Sequence, residues 1–529
     1  MTREGRLERA GSLTRRGLLR VAGAAAVVAG TDLGATHHAA AALSRRPGQR
    51  VAVLGGGMSG LTAAHELAER GFEVTVYERK ALGGKSRSIP VPGTGQGGRR
   101  ALPGEHGFRF FPGFYHHVPD TMRRIPFPGN ANGVWDNLVG AAETRLSRTG
   151  SADATVPGRV DPVMLDPETL RQTLITALNL GTRVPPTELG EFVQRFWVFL
   201  TSCDAQRFGQ WEYVSWWDFV RAEGKSAEYQ QVLAQGLTRT LVAAKEKLAS
   251  SRTIAYMGEA FLMNIMGRGN DGEPDRLLNA PTNEAWIDPW VAALRGLGVE
   301  FRMGGTVEAI NVDGGRLASA RVRDAAGRTG TVEADWFVCA VPVERAVQLW
   351  SPEVLALDPG LRRMQHLVVD WMNGLQFYLR REASITPGHI AYLDSPWALT
   401  SISQAQFWEN RDFTRDYGDG TVRDCLSVDI SDWDTLSSAA TTSNQHRPRD
   451  HGGGERVRAG SRQRPAARVG IKRRPGADVD PVPATRARGI QAGRPNTLRH
   501  GPTEYLRHPV SGHGVGTAGS PFGLHRDPR

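Results

Sequence analysis

Only three cysteines occur in 529 residues, Cys203, Cys339 and Cys425. Their wide spacing and odd number exclude both a disulfide framework and a CxxC metal knuckle, and they read as small buried apolar residues. Histidine pairs stand at His37-His38 and His116-His117, but neither has Cys, His or carboxylate partners at ligand spacing, so a metal centre is not expected. No segment approaches the run of about 20 apolar residues needed to span a bilayer, which leaves the mature chain soluble or peripheral to a membrane. No repeat of solenoid type is present.

The folded part also lacks a basic stripe. The chain carries a net charge of +10, but residues 1–50 hold +6 of it and residues 441–529 hold +11, leaving the centre at −7. A mildly acidic body between two basic ends argues against a nucleic-acid-binding fold. At this length the body has two or more domains, or is one large two-lobed unit with a sizeable interior.

What is present begins with a leader. Ser12-Leu-Thr-Arg15-Arg16-Gly-Leu-Leu-Arg20, a weakly apolar Ala/Val/Gly stretch to Gly30 and small residues at Ala39 to Ala42 match a twin-arginine export signal. Residues 1–46 are therefore expected to be leader and spacer, with the Tat translocase as partner during export. The destination is then the periplasm, the cell envelope or the exterior. A chain folded in the reducing cytosol before export has no need of disulfides, which agrees with the cysteine count.

Val51-Ala-Val-Leu54 reads as a strand, Met58 to Arg70 as a helix with Leu61, Ala64, Leu67 and Ala68 on one face, and Phe72 to Tyr77 as a second strand. Between the first two elements stands Gly55-Gly56-Gly57-Met58-Ser59-Gly60, a G-x-G-x-x-G turn. Gly55 permits the tight turn, Gly57 allows close approach to a pyrophosphate, and Gly60 lets helix and strand pack. The phosphates belong at the helix N-terminus, worth roughly 0.3–2 kcal/mol. Glu78, ending the second strand, is placed to accept from the adenosine ribose hydroxyls.

Glu78-Arg79-Lys80 is followed by Leu82-Gly83-Gly84-Lys85-Ser86-Arg87-Ser88, which resembles the second glycine motif of the flavin-containing amine oxidase and phytoene desaturase superfamily. That resemblance implies FAD, with Arg79, Gly83, Gly84, Lys85, Ser86 and Arg87 meeting the pyrophosphate and ribityl region. Pro103-Gly-Glu-His-Gly107-Phe-Arg-Phe-Phe-Pro-Gly-Phe-Tyr115 resembles the family segment beneath the flavin. It is closest to carotenoid desaturase-like and hydroxysqualene dehydroxylase-like members, with Gly107 approaching the isoalloxazine. Gly298 to Ile310 resembles the strand that pairs with the adenine edge, at Val307. Ala334 to Pro342 resembles the strand that re-enters the FAD domain.

The expected fold is α/β: a Rossmann-type FAD-binding domain with a second domain of mixed sheet and helices. FAD-binding parts are expected at 51–120 and 291–345, a mainly helical substrate domain at 121–290, and the substrate-domain sheet at 346–436. Strand character is read at Val299 to Val312, Leu317 to Arg323, Trp336 to Val341 and Leu375 to Leu379, with a hairpin turn at Asp313-Gly-Gly315. The aromatic run Phe192, Phe196, Trp197, Phe199, Phe208, Trp211, Tyr213, Trp216, Trp217 and Phe219 reads mostly as core, with an apolar substrate cavity as the other reading.

The family also uses a C-terminal strand ending Ala-Gly-Asp and a helix opening Glu-Gly-Ala. Neither occurs; Gly418-Asp419 follows no apolar strand, and Gly476-Ala-Asp478 is flanked by prolines and charges. Residues 437–529 have too few Leu, Ile, Val and Phe for their charge and are expected to be disordered. Their composition points to a shift of reading frame near Ser437. The resemblance implies hydride transfer between flavin N5 and a hydrophobic, polyprenoid-like substrate. The alternatives are a flavin amine oxidase and a defective product that cannot hold FAD; a partner-binding role for the Arg-rich tail is a further reading. No catalytic acid or base is singled out.

Overall fold

The computed structural model describes residues 48–435 apart from 106, 108, 159–177, 179–181, 271–272, 371, 410 and 433. The leader and the C-terminal tail, with the readings made on them, lie outside the described residues.

A four-stranded parallel sheet organises the first domain. Its strands are β1 (Arg50–Leu54), β2 (Glu73–Glu78), β3 (Glu300–Met303) and β4 (Trp336–Cys339), in the spatial order β4-β1-β2-β3. Helix α1 (Met58–Glu69) makes the crossover from β1 to β2. Val51, Val53 and Leu54 of β1 are at most 2% exposed, and Leu61 and Ala64 of α1 are fully buried against the sheet. The apolar residues at helical and alternating spacing are thus the ones that enter the core.

The single strand expected from Val299 to Val312 is divided. Gly304, at φ +80°, and Gly305 separate β3 from a second strand, Thr306–Asp313. The first half joins the parallel sheet, and the second opens a three-stranded antiparallel sheet with Arg316–Arg323 and Thr329–Glu333. The hairpin turn is where it was expected: Asp313 pairs with Arg316, and both central glycines have positive φ, +55° and +74°, the geometry of a type I′ turn. Thr329–Glu333 has no apolar alternation to announce it.

The second domain pairs a helical lobe with a six-stranded sheet. The sheet order is 373–379, 424–430, 399–403, 388–392, 143–147, 154–157. Two of its strands therefore come from the range expected to be mainly helical. Glu143-Thr-Arg-Leu-Ser147 shows no apolar face, and it is held by parallel pairing to Gly388–Tyr392, far away in sequence. In the helical lobe Phe192, Phe196, Phe199, Trp211, Trp216, Trp217 and Phe219 are all buried, most of them in edge-to-face or stacked ring pairs. The aromatic run is the lobe's core and not a cavity lining; Phe208 and Tyr213 stand on the surface at 55% and 54% exposure.

Cys425 is buried as expected and Cys339 half-buried, but Cys203 is exposed, because it precedes the short helix Asp204–Gly209 at the lobe surface. No helix of the described residues is long and apolar enough to cross a membrane.

Candidate cofactor site

The three motif glycines are required for different reasons. Gly55 has φ +116°, and a Cβ there would lie 2.6 Å from the carbonyl oxygen of Ala340 beyond β4. A Cβ on Gly60 would lie 1.9 Å from the Gly55 carbonyl oxygen, so this glycine lets α1 approach the turn. Gly57 differs. A Cβ there would meet nothing nearer than the Gly84 Cα at 3.8 Å, and its φ of −78° suits any residue. Nothing in the protein itself requires glycine at 57.

Gly57 is also the N-cap of α1, and no side chain caps the helix or places an acid in its first turn. The open N–H groups and the dipole's positive end make this the natural seat of an anion. The second glycine loop closes against it: Gly83 donates its N–H to the Gly56 carbonyl at 2.9 Å, and Gly57 and Gly83 form an isolated parallel bridge. A Cβ on Gly84, at φ +55°, would meet the Gly57 Cα at 2.9 Å. Met58 is half-buried and Ser59 exposed at the start of the helix.

Glu78 sits where the motif places it. Its carboxylate accepts from the Gly56 N–H at 2.8 Å and from the Lys80 N–H at 2.6 Å. It braces the loop in the protein alone, and each oxygen keeps a second lone pair for a sugar hydroxyl. Basic groups crowd this end. Burial first, and then Arg79 and Arg87, hold the Lys80 ammonium below its usual range. Half-buried Arg87 donates to the Gly84 carbonyl at 2.5 Å. Lys85 is exposed, whereas Ser86 is 3% exposed, so the Ser86 side chain is turned inward, away from the open side of the loop.

Val307 packs with Tyr77 against one apolar cluster beside the end of β2, and the strand register shifts immediately after it. Gly107 stands between Glu105 and Arg109, which reach Ser88 and Lys85. It has φ +81°, and the position of its missing Cβ is 2.5 Å from Asp429 Oδ1; the space beside it belongs to Asp429 of the six-stranded sheet.

Sequence reading missed the buried hub between these parts. Glu105, 7% exposed, accepts from Ser88 Oγ at 2.6 Å, Thr282 N at 3.0 Å and Thr282 Oγ1 at 2.8 Å. Arg109, 5% exposed, donates to the Lys85 carbonyl at 3.3 Å. One carboxylate thus ties the glycine loop, the 103–115 segment and the turn before Asn283 together. Only a buried polar residue in an otherwise apolar stretch could have signalled it, and Glu105 with Arg109 is such a pair.

Burial raises the Glu105 carboxyl above its ordinary value, against the pull of Arg109. An acid whose folded pKa is raised binds more protons when folded, so its contribution to stability falls as pH rises from the ordinary carboxylate value through the raised one. Urea midpoints of the wild-type chain and Glu105→Gln, compared across pH, are expected to show the wild type losing stability relative to the variant on raising pH through that window. A constant difference would refute the burial assignment.

The six-stranded sheet lies over this hub. Ile390, Ser401, Val428 and Leu375 are register partners in turn and share one face. By alternation His389, Ser427 and Gln376 point to the other. That second face meets the 103–109 segment: Gln376 Oε1 accepts from Glu105 N at 2.8 Å, and Tyr378 donates its hydroxyl to the Pro103 carbonyl at 2.9 Å. His116 and His117 are exposed at the start of a short helix, and no cluster of three or more metal-ligating side chains occurs among the described residues.

Residues 53–125 match the family model of an NAD(P)-binding Rossmann-like domain. A carotenoid phi-ring synthase of Chlorobaculum tepidum is 21% identical over 288 residues, 54% of this chain and 41% of that protein. The matched family model thus covers the β1-α1-β2 unit and the segment that follows it. A carotenoid phi-ring synthase of Streptomyces griseus is 40% identical over 76 residues, 14% of each chain. Protoporphyrinogen oxidase 2 of Arabidopsis thaliana is 56% identical over 43 residues, 8% of each. The chain spans less than half the length of these curated relatives. Among solved structures, an oxidoreductase from Methanosarcina mazei has a TM-score of 0.48 at 12% identity, covering 72% of this chain and 79% of that one. Putrescine oxidase bound to putrescine has a TM-score of 0.45 at 15% identity, covering 73% and 76%.

FAD fits the residues present on the Rossmann side: an open Cβ position at Gly57, an uncapped helix terminus, a second glycine loop and a surplus of cations. The far side has no closing strand among the described residues. β4 is paired only with β1, Trp336 on it is 53% exposed, and Gly418-Asp419 forms a turn in which Asp419 accepts from Thr421.

Proposed function

We propose that this chain is an FAD-dependent oxidoreductase that moves hydride between flavin N5 and a hydrophobic, polyprenoid-like substrate. The observation that carries the reading is Gly57: a Cβ there would meet nothing in the protein nearer than 3.8 Å, so the open space at the helix terminus suits a ligand's close approach. The names of the two carotenoid phi-ring synthases support an isoprenoid substrate.

When bound, FAD would supply the two-electron acceptor. The chain's part is to hold it. Gly57, Met58, Ser59 and the loop Gly83, Gly84, Lys85 and Arg87 would carry the pyrophosphate, Glu78 the ribose, and Arg79 and Lys80 the surrounding positive charge. Glu105 and Arg109 hold the loop in place, and the half-buried rings of Phe110, Phe114 and Phe261 offer an apolar wall beside the 103–115 segment. Export by the Tat pathway and peripheral association with a membrane belong to the same proposal and rest on the leader and the hydrophobic substrate.

The test is anaerobic addition of phytoene, in detergent, to the FAD-loaded full chain. Bleaching of the flavin's visible band supports the reading. No bleaching with polyprenoids, together with hydrogen peroxide release on adding amines in air, would replace it with an amine oxidase.

A further inference from the structure

A histidine that sequence reading passed over stands beside the aromatic wall. His389, in the strand Gly388–Tyr392, has Nε2 2.7 Å from Asp275 Oδ2, with the two side chains 14% and 18% exposed. Its ring meets Phe110 edge-on at 5.7 Å between centroids. Phe110 in turn stacks on Phe261 of the helix Ser251–Ile265 at 6.1 Å, and Phe114 meets Phe261 edge-on at 5.2 Å. These residues come from four separate stretches of chain that converge where the helical lobe, the six-stranded sheet and the 103–115 segment join.

Asp275 is held on the same segment by backbone pairing. Phe111 N donates to the Arg276 carbonyl at 2.9 Å, Gly113 N to the Pro274 carbonyl at 2.9 Å, and Ala141 N to the Asp275 carbonyl at 3.0 Å. Its carboxylate is therefore fixed relative to Phe110. His389 is fixed from the other side by the sheet, on the face turned to the 103–109 segment. An imidazole beside a carboxylate and against aromatic rings is an arrangement suited to taking a proton: the carboxylate offsets the positive charge that the ring acquires.

We infer that His389 is the proton acceptor of this site and Asp275 its positioning residue. The inference rests on the oxidoreductase reading above. Forming a carbon–carbon double bond removes two hydrogens from neighbouring substrate carbons. One leaves as hydride, carrying both electrons to the flavin as oxidant; the other leaves as a proton to the imidazole, and from there to solvent. The electron pair left by the proton forms the new π bond. Asp275 stabilises the imidazolium while it lasts.

Two measurements test it, the first without cofactor. In the apo chain, NMR of the imidazole groups is expected to show the His389 ring resonances moving in Asp275→Asn. Unmoved resonances overturn the pair. In the FAD-loaded chain with phytoene, His389→Ala is expected to lower kcat by roughly 10²–10⁴ with little change in KM, with unchanged FAD content and melting temperature. Added imidazole should restore part of the rate, and Asp275→Asn should lower kcat at least about tenfold. A rate unaffected by His389→Ala, or a loss that imidazole does not rescue, overturns the inference while leaving the cofactor reading intact. A chain that takes up no flavin refutes the cofactor reading instead, and the apo measurement still decides the pair.

Discussion

Replacing Gly57 by alanine is expected to weaken FAD binding at least a hundredfold, about 2.8 kcal/mol, while leaving the stability of the apo chain within about 1 kcal/mol of the wild type. Two small opposing terms set the stability. Restricting the unfolded chain favours alanine by about 0.4–1 kcal/mol, and losing a glycine N-cap costs a few tenths to about 1 kcal/mol. Neither involves a clash, because the Cβ would have only the Gly84 Cα within reach, at 3.8 Å. The binding loss has a different origin: a methyl group would stand where the pyrophosphate must approach the backbone. Isothermal titration with FAD and a thermal melt on the same protein separate the two. Unaltered affinity would mean that the phosphates do not sit at Gly57.

Gly60→Ala should do the reverse and damage the fold itself. Alanine in a helix is worth about 1 kcal/mol over glycine, but the new Cβ would lie 1.9 Å from the Gly55 carbonyl oxygen. That oxygen belongs to the turn on which the site is built and has no flexible side chain to swing aside. Overpacking of this kind costs about 1–3 kcal/mol and sometimes more. With a backbone oxygen as the obstacle the cost falls at the upper end of that range, and a net loss of about 2 kcal/mol in urea unfolding is expected. A variant as stable as the wild type would show that α1 and β1 are not packed as closely as described.

The β1-α1-β2 unit was legible because everything that specifies it is local. The apolar alternation, the helical spacing of Leu61 and Ala64, and the glycines all fall within Val51 to Glu78. Asp313-Gly-Gly315 was legible for the same reason. Features set by distant partners were not. Glu143–Ser147 is a strand only because Gly388–Tyr392 lies beside it, and Gly304-Gly305 reads as part of one strand until two different sheets claim its halves. The aromatic run from Phe192 to Phe219 could be core or cavity by composition; the burial of its rings against one another makes it core. Gly107 has a positive φ that a turn alone could imply, but its neighbour Asp429 comes from a strand more than three hundred residues away. Glu105 and His389 are single polar residues whose meaning lies in the partners that the fold brings to them, Thr282 and Ser88 for one, Asp275 and Phe110 for the other.

The sheet edge at β4 bears on whether the site works as a whole. Trp336 is half-exposed there and donates its indole N–H to Gln49 Oε1 at 3.1 Å, and parallel sheets are normally covered on their faces and edges. In the proposed reading, the described residues hold FAD from the Rossmann side. The most direct test is the visible absorbance spectrum of the purified full-length protein, recorded as isolated and again after incubation with FAD and removal of the free cofactor. The site described above requires flavin bands that travel with the protein. A protein that stays colourless after incubation would contradict it.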